Sequence, residues 1–295
     1  MARKRIPKYS IFIACEGSNT EPLYFEKISE IMQDGDDYPF SITVYPDREE
    51  KSAKTDALGL VKVAIERKEK FDEVWAVFDK DGYTKHSEAF ALASLENVNI
   101  AFSSISFETW ILMHYERCSK SFSKSMGIIA SKFFEKSYLP DYAKSGNFNL
   151  YPEIQPIEDV AFKNAAWLRN LINKECPGLP IYDSNPYTDV DNLVRKIRQV
   201  NDVYGFRYLG DPFCFNGVEV VANEKKGEII VAIKNSLSKS IVTNEFNFFN
   251  SAREKIDIKN KVIEPGKQEK IKLGKISSST CICIEYENLK LEIEF

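Results

Sequence analysis

The first part of this chain alternates between two apolar patterns, and that alternation restricts its fold more than any other feature of the sequence. Short apolar runs at 9–15 (YSIFIAC), 41–45 (SITVY), 73–78 (EVWAVF) and 98–103 (VNIAFS) read as strands. Between them, apolar residues recur at helical spacing: Leu23, Ile28, Ile31 and Met32, then Leu58, Val61, Ala64 and Ile65, then the segment 86–95. Asn19 or Thr20 caps the first of these helices, with Pro22 in its first turn. A β-α-β-α-β-α-β order needs crossover connections, which predict a mostly parallel sheet with helices on both faces.

The pattern then changes twice. The middle of the chain reads as helical at 107–115, 121–136, 157–174 and 188–203, with a loop over 139–157. In the third of these helices Val160, Ala161, Ala165, Leu168 and Ile172 are spaced for one face. Beyond about Gly210 the text becomes strand-like: VEVVA, EIIVAI, KSIVTNEF, EKIKLGKI, TCICIEY and LKLEIEF, divided by polar or glycine-containing turns. This predicts a C-terminal all-β, sandwich-like domain. The expected organisation is an α/β domain with a helical extension over 1–211 and a β domain over 212–295. The second is read as a partner-docking module, with 289–295 as an edge strand open to strand addition.

Composition excludes several classes of protein. Of 295 residues, 43% are hydrophobic and 28% charged, a balance that buries a core and rules out disorder. No apolar run is long enough to predict a transmembrane helix. The basic start, MARKR, leads into an apolar stretch that soon meets Glu16, so it is not read as a secretion signal and a cytoplasmic location is expected. A net charge of −4 argues against a bulk polyanion binder, so any contact with nucleic acid must be local. Six cysteines without a C-x-x-C pair, and only two histidines, make a zinc site unexpected.

Two acidic motifs stand where parallel α/β sheets bind their ligands, at the carboxyl ends of strands. Glu16-Gly17 follows the first run, and Asp79-Lys80-Asp81-Gly82 follows the third. Three carboxylates in one crevice repel unless a cation neutralises them, and hard oxygen ligands select magnesium or manganese. The combination points to metal-assisted phosphoryl-transfer chemistry. In the alternative reading these acids only cap helices and complete turns.

The two motifs together resemble a TOPRIM domain, with a Glu after the first strand and Asp-x-Asp after a later one. More specifically, the chain is similar to the RloB-like family, also described as the second component of AbiL systems. The resemblance rests on CEGSNTEPLYFE (15–26), FDKDG (78–82), FETWILMHYE (107–116) and NPYTDVDNLV (185–194), and covers about residues 8–205. Where the family carries Asn-Pro before the Phe-Glu pair, this chain has Ile105-Ser106. The resemblance implies a magnesium- or manganese-dependent TOPRIM-type nuclease, hydrolysing DNA or RNA in anti-phage abortive infection beside a partner ATPase. Glu16 would then be an acid/base group or metal ligand, Asp79 and Asp81 metal ligands, and Glu108 a further catalytic carboxylate or a structural one.

Other residues carry weaker signals. Lys144, Arg195 and Arg198 are candidate phosphate contacts; for the arginines the alternative is a solvated helix face. Glu21, at a helix start, reads as a dipole-stabilising acid. Asp79-Lys80-Asp81-Gly82-Tyr83-Thr84 is also similar to the nucleophile motif of haloacid-dehalogenase-type phosphohydrolases, but that reading leaves Glu16 without a role. A third possibility is a non-catalytic, nucleic-acid- or partner-binding subunit of an ATPase complex.

Overall fold

The four apolar runs of the first half become strands β1 (Tyr9–Cys15), β2 (Phe40–Tyr45), β3 (Glu73–Asp79) and β4 (Asn99–Ser104) in a computed structural model. It describes residues 8–34, 38–46, 56–80, 85–144, 148–274 and 281–295. Helices α1 (Thr20–Gln33), α2 (Ala57–Arg67) and α3 (His86–Glu96) alternate with these strands. The sheet order is β2-β1-β3-β4-β5, where β5 (Tyr187–Thr188) is a short strand from much later in the chain. The first four strands are parallel, and β5 runs antiparallel to β4.

Side-chain alternation gives the sheet two apolar faces. Phe12, Ala14, Ala76, Phe78 and Phe102 pack with Leu60, Val61 and Ala64 of α2 and Ala89 and Ala93 of α3 in one cluster. Ile11, Ile13, Val77 and Ala101 alternate to the other face and are equally buried. Both faces are therefore covered, and this explains why the strands read as continuous apolar runs.

The helical middle of the chain is more broken than its periodicity predicts. Following β4 come α4 (Glu108–Met113) and α5 (Ser125–Ile128), the latter running into a π-helical turn, Ile129–Phe134. The predicted loop contains α6 (Leu150–Ile154). In α7 (Glu158–Glu175), Ala161, Ala165 and Leu168 are buried as expected, but Val160 is 40% exposed and Phe162 takes its place inside. Helix α8 (Val190–Ile197) is shorter than predicted, because Gln199 turns into the left-handed region (φ 55°).

The chain divides into two compact units, Met1–Val200 and Asn201–Phe295. The division precedes strand β6 (Val203–Tyr208) instead of falling near 211, since β6 pairs in parallel with β16 (Leu289–Glu294). The second unit continues through β7 (Phe213–Phe215), β8 (Val218–Lys225), β9 (Glu228–Asn235), β10 (Ile241–Val242), β11 (Phe246–Asn250), β12 (Lys255–Ile256), β13 (Val262–Ile263), β14 (Gln268–Gly274) and β15 (Cys281–Tyr286). Its two larger sheets have the orders β12-β11-β15-β16-β6 and β14-β9-β8-β7. Val220, Val231 and Ile233 from one, and Phe248, Ile284 and Leu291 from the other, belong to a single hydrophobic cluster. Strand β16 lies between β15 and β6, so residues 289–294 are an interior strand and not the open edge that the sequence suggests.

A buried ion pair ties β5 into the first unit. Arg169 of α7 grips Asp191 of α8 with two hydrogen bonds (2.5 and 2.8 Å) and donates to the Thr188 carbonyl of β5 (2.8 Å). Asp191 is fully buried. Asp191→Ala should lower the unfolding free energy by about 2–4 kcal/mol, because a half-buried guanidinium loses its fully buried partner, while Arg169→Met with Asp191→Leu should cost much less. Urea denaturation of both variants measures the difference.

Candidate active site

The site begins with strand register. Cys15, the last residue of β1, lies opposite Val77 of β3, which runs two residues further to Asp79. The next residue, Glu16, donates its backbone N–H to the Val77 carbonyl (3.0 Å). Its side-chain Oε2 accepts the backbone N–H of Asp79 (3.3 Å), across 63 positions of sequence. Gly17 then turns the chain into α1 at φ +70°, a conformation that glycine adopts without the strain a side chain brings. Asp79 is 6% exposed, and its carbonyl takes a hydrogen bond from His86 Nε2 of α3 (2.9 Å). Because a carbonyl only accepts, His86 carries its proton on Nε2. Asp81 lies outside the described residues.

A second polar group gathers at the same end of the sheet. Glu108, at the start of α4, has no exposed surface. Tyr142 donates its hydroxyl to Glu108 Oε1 (2.9 Å), and Lys144 Nζ stands 3.5 Å from Oε2. Thr20, the first residue of α1, donates its hydroxyl to the Lys144 carbonyl (3.2 Å), holding the Tyr142–Lys144 segment to the helix start. Burial works against the Lys144 charge, but the carboxylates of Glu108, Asp79 and Glu21 outweigh it and hold the ammonium above the ordinary lysine value. Glu21 itself is 7% exposed. Burial, and then the neighbouring Glu108 carboxylate, push its carboxyl up to about 8. Cys15 is part of the apolar core, and burial raises its thiol well above the usual range.

Glu16 and Asp79 are therefore brought together, and Glu108 and Lys144 form a pair beside them. Arg198, just past α8, donates Nε to buried Glu158 (3.1 Å) and an NH1 proton to Met32 Sδ (3.1 Å). Arg195 is half-buried on α8 itself. The sequence does not single out Tyr142, and it marks Thr20 only as a helix cap, since a hydroxyl that holds a carboxylate or a carbonyl has no motif of its own. The NPYTDVDNLV segment proves to be an anchor for β4: Asp189 Oδ1 accepts the Phe102 N–H (2.6 Å), and Thr188 Oγ1 meets Ser103 Oγ (2.9 Å).

Among the described residues, no group of three His, Cys, Asp or Glu side chains stands close enough to hold a metal ion. Glu16 and Asp79 supply hard carboxylate oxygens, the donor type that suits magnesium or manganese and not zinc. Completing such a shell requires water or a further group, and Asp81 is two residues beyond Asp79.

A mostly parallel sheet with helices between its strands, and with Glu16 and Asp79 at the carboxyl ends of β1 and β3, defines a protein of the α/β class. The chain belongs to the RloB-like protein family, whose model matches residues 11–197. That span runs from β1 to the end of α8 and stops before the second unit. No curated protein matches the chain. Likeness to solved structures is slight. The yjhA protein from Bacillus subtilis aligns at 10% identity and a TM-score of 0.24, over 30% of this chain and 98% of that one. CapF, solved with the inhibitor 3-isopropenyl-tropolone, aligns at 10% identity and a TM-score of 0.21, over 96% of this chain and 94% of that one.

The Glu21 carboxyl gives the fold a pH dependence of definite sign. Its value is about 8 in the folded chain against an ordinary 4.5, so between those values the folded state binds more protons than the unfolded one. Stability should be greatest at the acid end of this window and fall as pH rises through it. The loss should be on the order of a few kcal/mol and level off above pH 8. Unfolding free energies of the wild type and Glu21→Gln across that range should diverge, with the variant showing the flatter curve.

Proposed function

We propose that this protein hydrolyses phosphodiester bonds of nucleic acid with bound magnesium or manganese, as a TOPRIM-type nuclease. The observation that carries the proposal is the hydrogen bond from the Asp79 backbone amide to Glu16 Oε2, which brings the Glu16 carboxylate to the end of β3, where Asp79 stands. Membership of the RloB-like family and the Asp79-Lys80-Asp81 spacing support it. Asp79 and Asp81 are assigned as cation ligands. Glu16 is assigned as a ligand or as the group that takes a proton from the attacking water. When bound, the cation supplies Lewis-acid polarisation of the phosphoryl oxygens. Lys144 offers positive charge to the same phosphate.

In this reading a phosphatase mechanism with Asp79 as nucleophile is disfavoured, since it leaves the Glu16–Asp79 contact unused. The second unit lies outside the family match, which suits an accessory role such as docking a partner ATPase in an abortive-infection system.

Purified protein should cleave single-stranded or duplex oligonucleotides with magnesium or manganese and not with EDTA. Glu16→Gln and Asp79→Asn should each lower the cleavage rate by at least about 100-fold while melting within a few degrees of the wild type. Cleavage that survives both substitutions would place the chemistry elsewhere. Absence of divalent-dependent cleavage, with the partner ATPase present as well as absent, would remove the nuclease assignment.

A further inference from the structure

Glu108 occupies a position in which a third metal-binding carboxylate would be expected, yet its surroundings suit a different task. Both of its oxygens face donors: Oε1 receives the Tyr142 hydroxyl at 2.9 Å and Oε2 faces the Lys144 ammonium at 3.5 Å. The carboxylate is wholly buried, whereas 38% of the Lys144 side chain remains exposed. One short segment delivers both donors, a phenol and an ammonium, so the cation that already stands at this buried carboxylate is Lys144. That segment is itself fixed at the mouth of α1 by the hydroxyl of Thr20 on the Lys144 carbonyl. Lys144 therefore has a carbonyl held to α1, a buried counter-ion and a partly exposed side chain, and the Asp79 charge acts on it.

We infer that Lys144 is the residue that binds the substrate phosphate, and that Glu108 is its positioning residue and not a metal ligand. This rests on the nuclease reading for the identity of the phosphate but not for its chemistry. The 3.5 Å separation from Glu108 is long for a charge-assisted hydrogen bond. A phosphate oxygen arriving from the exposed side therefore gains a donor without Glu108 having to leave. Tyr142 keeps the Glu108 carboxylate oriented while that exchange takes place.

The test uses the full-length protein with calcium in place of magnesium, so that substrate is bound and not cut. A fluorescein-labelled DNA oligonucleotide and inorganic phosphate serve as separate probes, and manganese binding is read in parallel by electron paramagnetic resonance. Lys144→Met should weaken binding of the oligonucleotide about tenfold and flatten its salt dependence by about one ion. Lys144→Arg should recover most of that loss. Glu108→Gln should weaken oligonucleotide binding as well, while leaving manganese affinity at the wild-type value. Circular dichroism checks that both variants are folded, and Lys144→Met, with its side chain partly in solvent, keeps the test decisive if Glu108→Gln is not.

Wild-type oligonucleotide affinity in Lys144→Met would overturn the inference and leave the nuclease reading standing. Loss of manganese binding in Glu108→Gln would make Glu108 a ligand and overturn its positioning role. Binding of inorganic phosphate but not of the oligonucleotide, lost in Lys144→Met, would uphold the role of Lys144 and remove the nuclease reading. A wild-type protein that binds neither probe would overturn both.

Discussion

The register between two parallel strands decides where the acids of this protein meet. Hydrogen-bonded register sets Cys15 against Val77, and with it the heights of Glu16 and Asp79. Had β1 slipped by one residue against β3, every side chain of β1 would have changed face, taking Phe12 and Ala14 out of the core they share with α2 and α3. The apolar packing that stabilises the sheet is thus the same constraint that fixes its acidic edge. Carboxylates gain nothing from proximity to one another; they are held there by the burial of residues several positions earlier.

The acidic edge is kept tolerable by distributing its charge. Glu16 receives a backbone amide, Glu108 a phenol and an ammonium, and Glu21 keeps its proton near neutral pH. These are three different answers to the cost of placing negative charge where water is scarce. They also separate the roles. Under the proposed function, Glu16 and Asp79 are the oxygen ligands, while Glu108 acts through Lys144. The Tyr142–Lys144 segment is joined to the sheet edge through Glu108 and Thr20, so the helical middle of the chain completes a site that the β-α repeats only begin.

The far side of the sheet edge is closed by chain from residues 185–194. Asp189 brackets Phe102, accepting its N–H and donating its own N–H to the Phe102 carbonyl (3.1 Å). Thr188 joins Ser103, the residue paired with Asp79. A segment that in the sequence carries only part of the family resemblance therefore supplies the antiparallel edge of the sheet, beside the strand that pairs with Asp79. Arg169 and Asp191 hold it there from α7 and α8.

The sequence by itself determined the alternating strands and helices, the mostly parallel sheet, the change to strands in the last third, and the placement of Glu16 and Asp79 at strand ends. These features have local causes: apolar period, turn residues, and the position of an acid directly after an apolar run. What only the tertiary structure decided has non-local causes. Strand β16 is interior because β6, distant in sequence, pairs with it, and a period-two pattern is the same for an edge as for a centre. The break between units moved from 211 to 200 for the same reason. Val160 faces outward because the packing of α7 selects which of two overlapping apolar stripes is buried. Glu108 could be placed near the acids from its position after β4, but its partners could not. Tyr142 and Lys144 reach it by tertiary contact across 34 and 36 positions, and no local pattern records a contact of that kind.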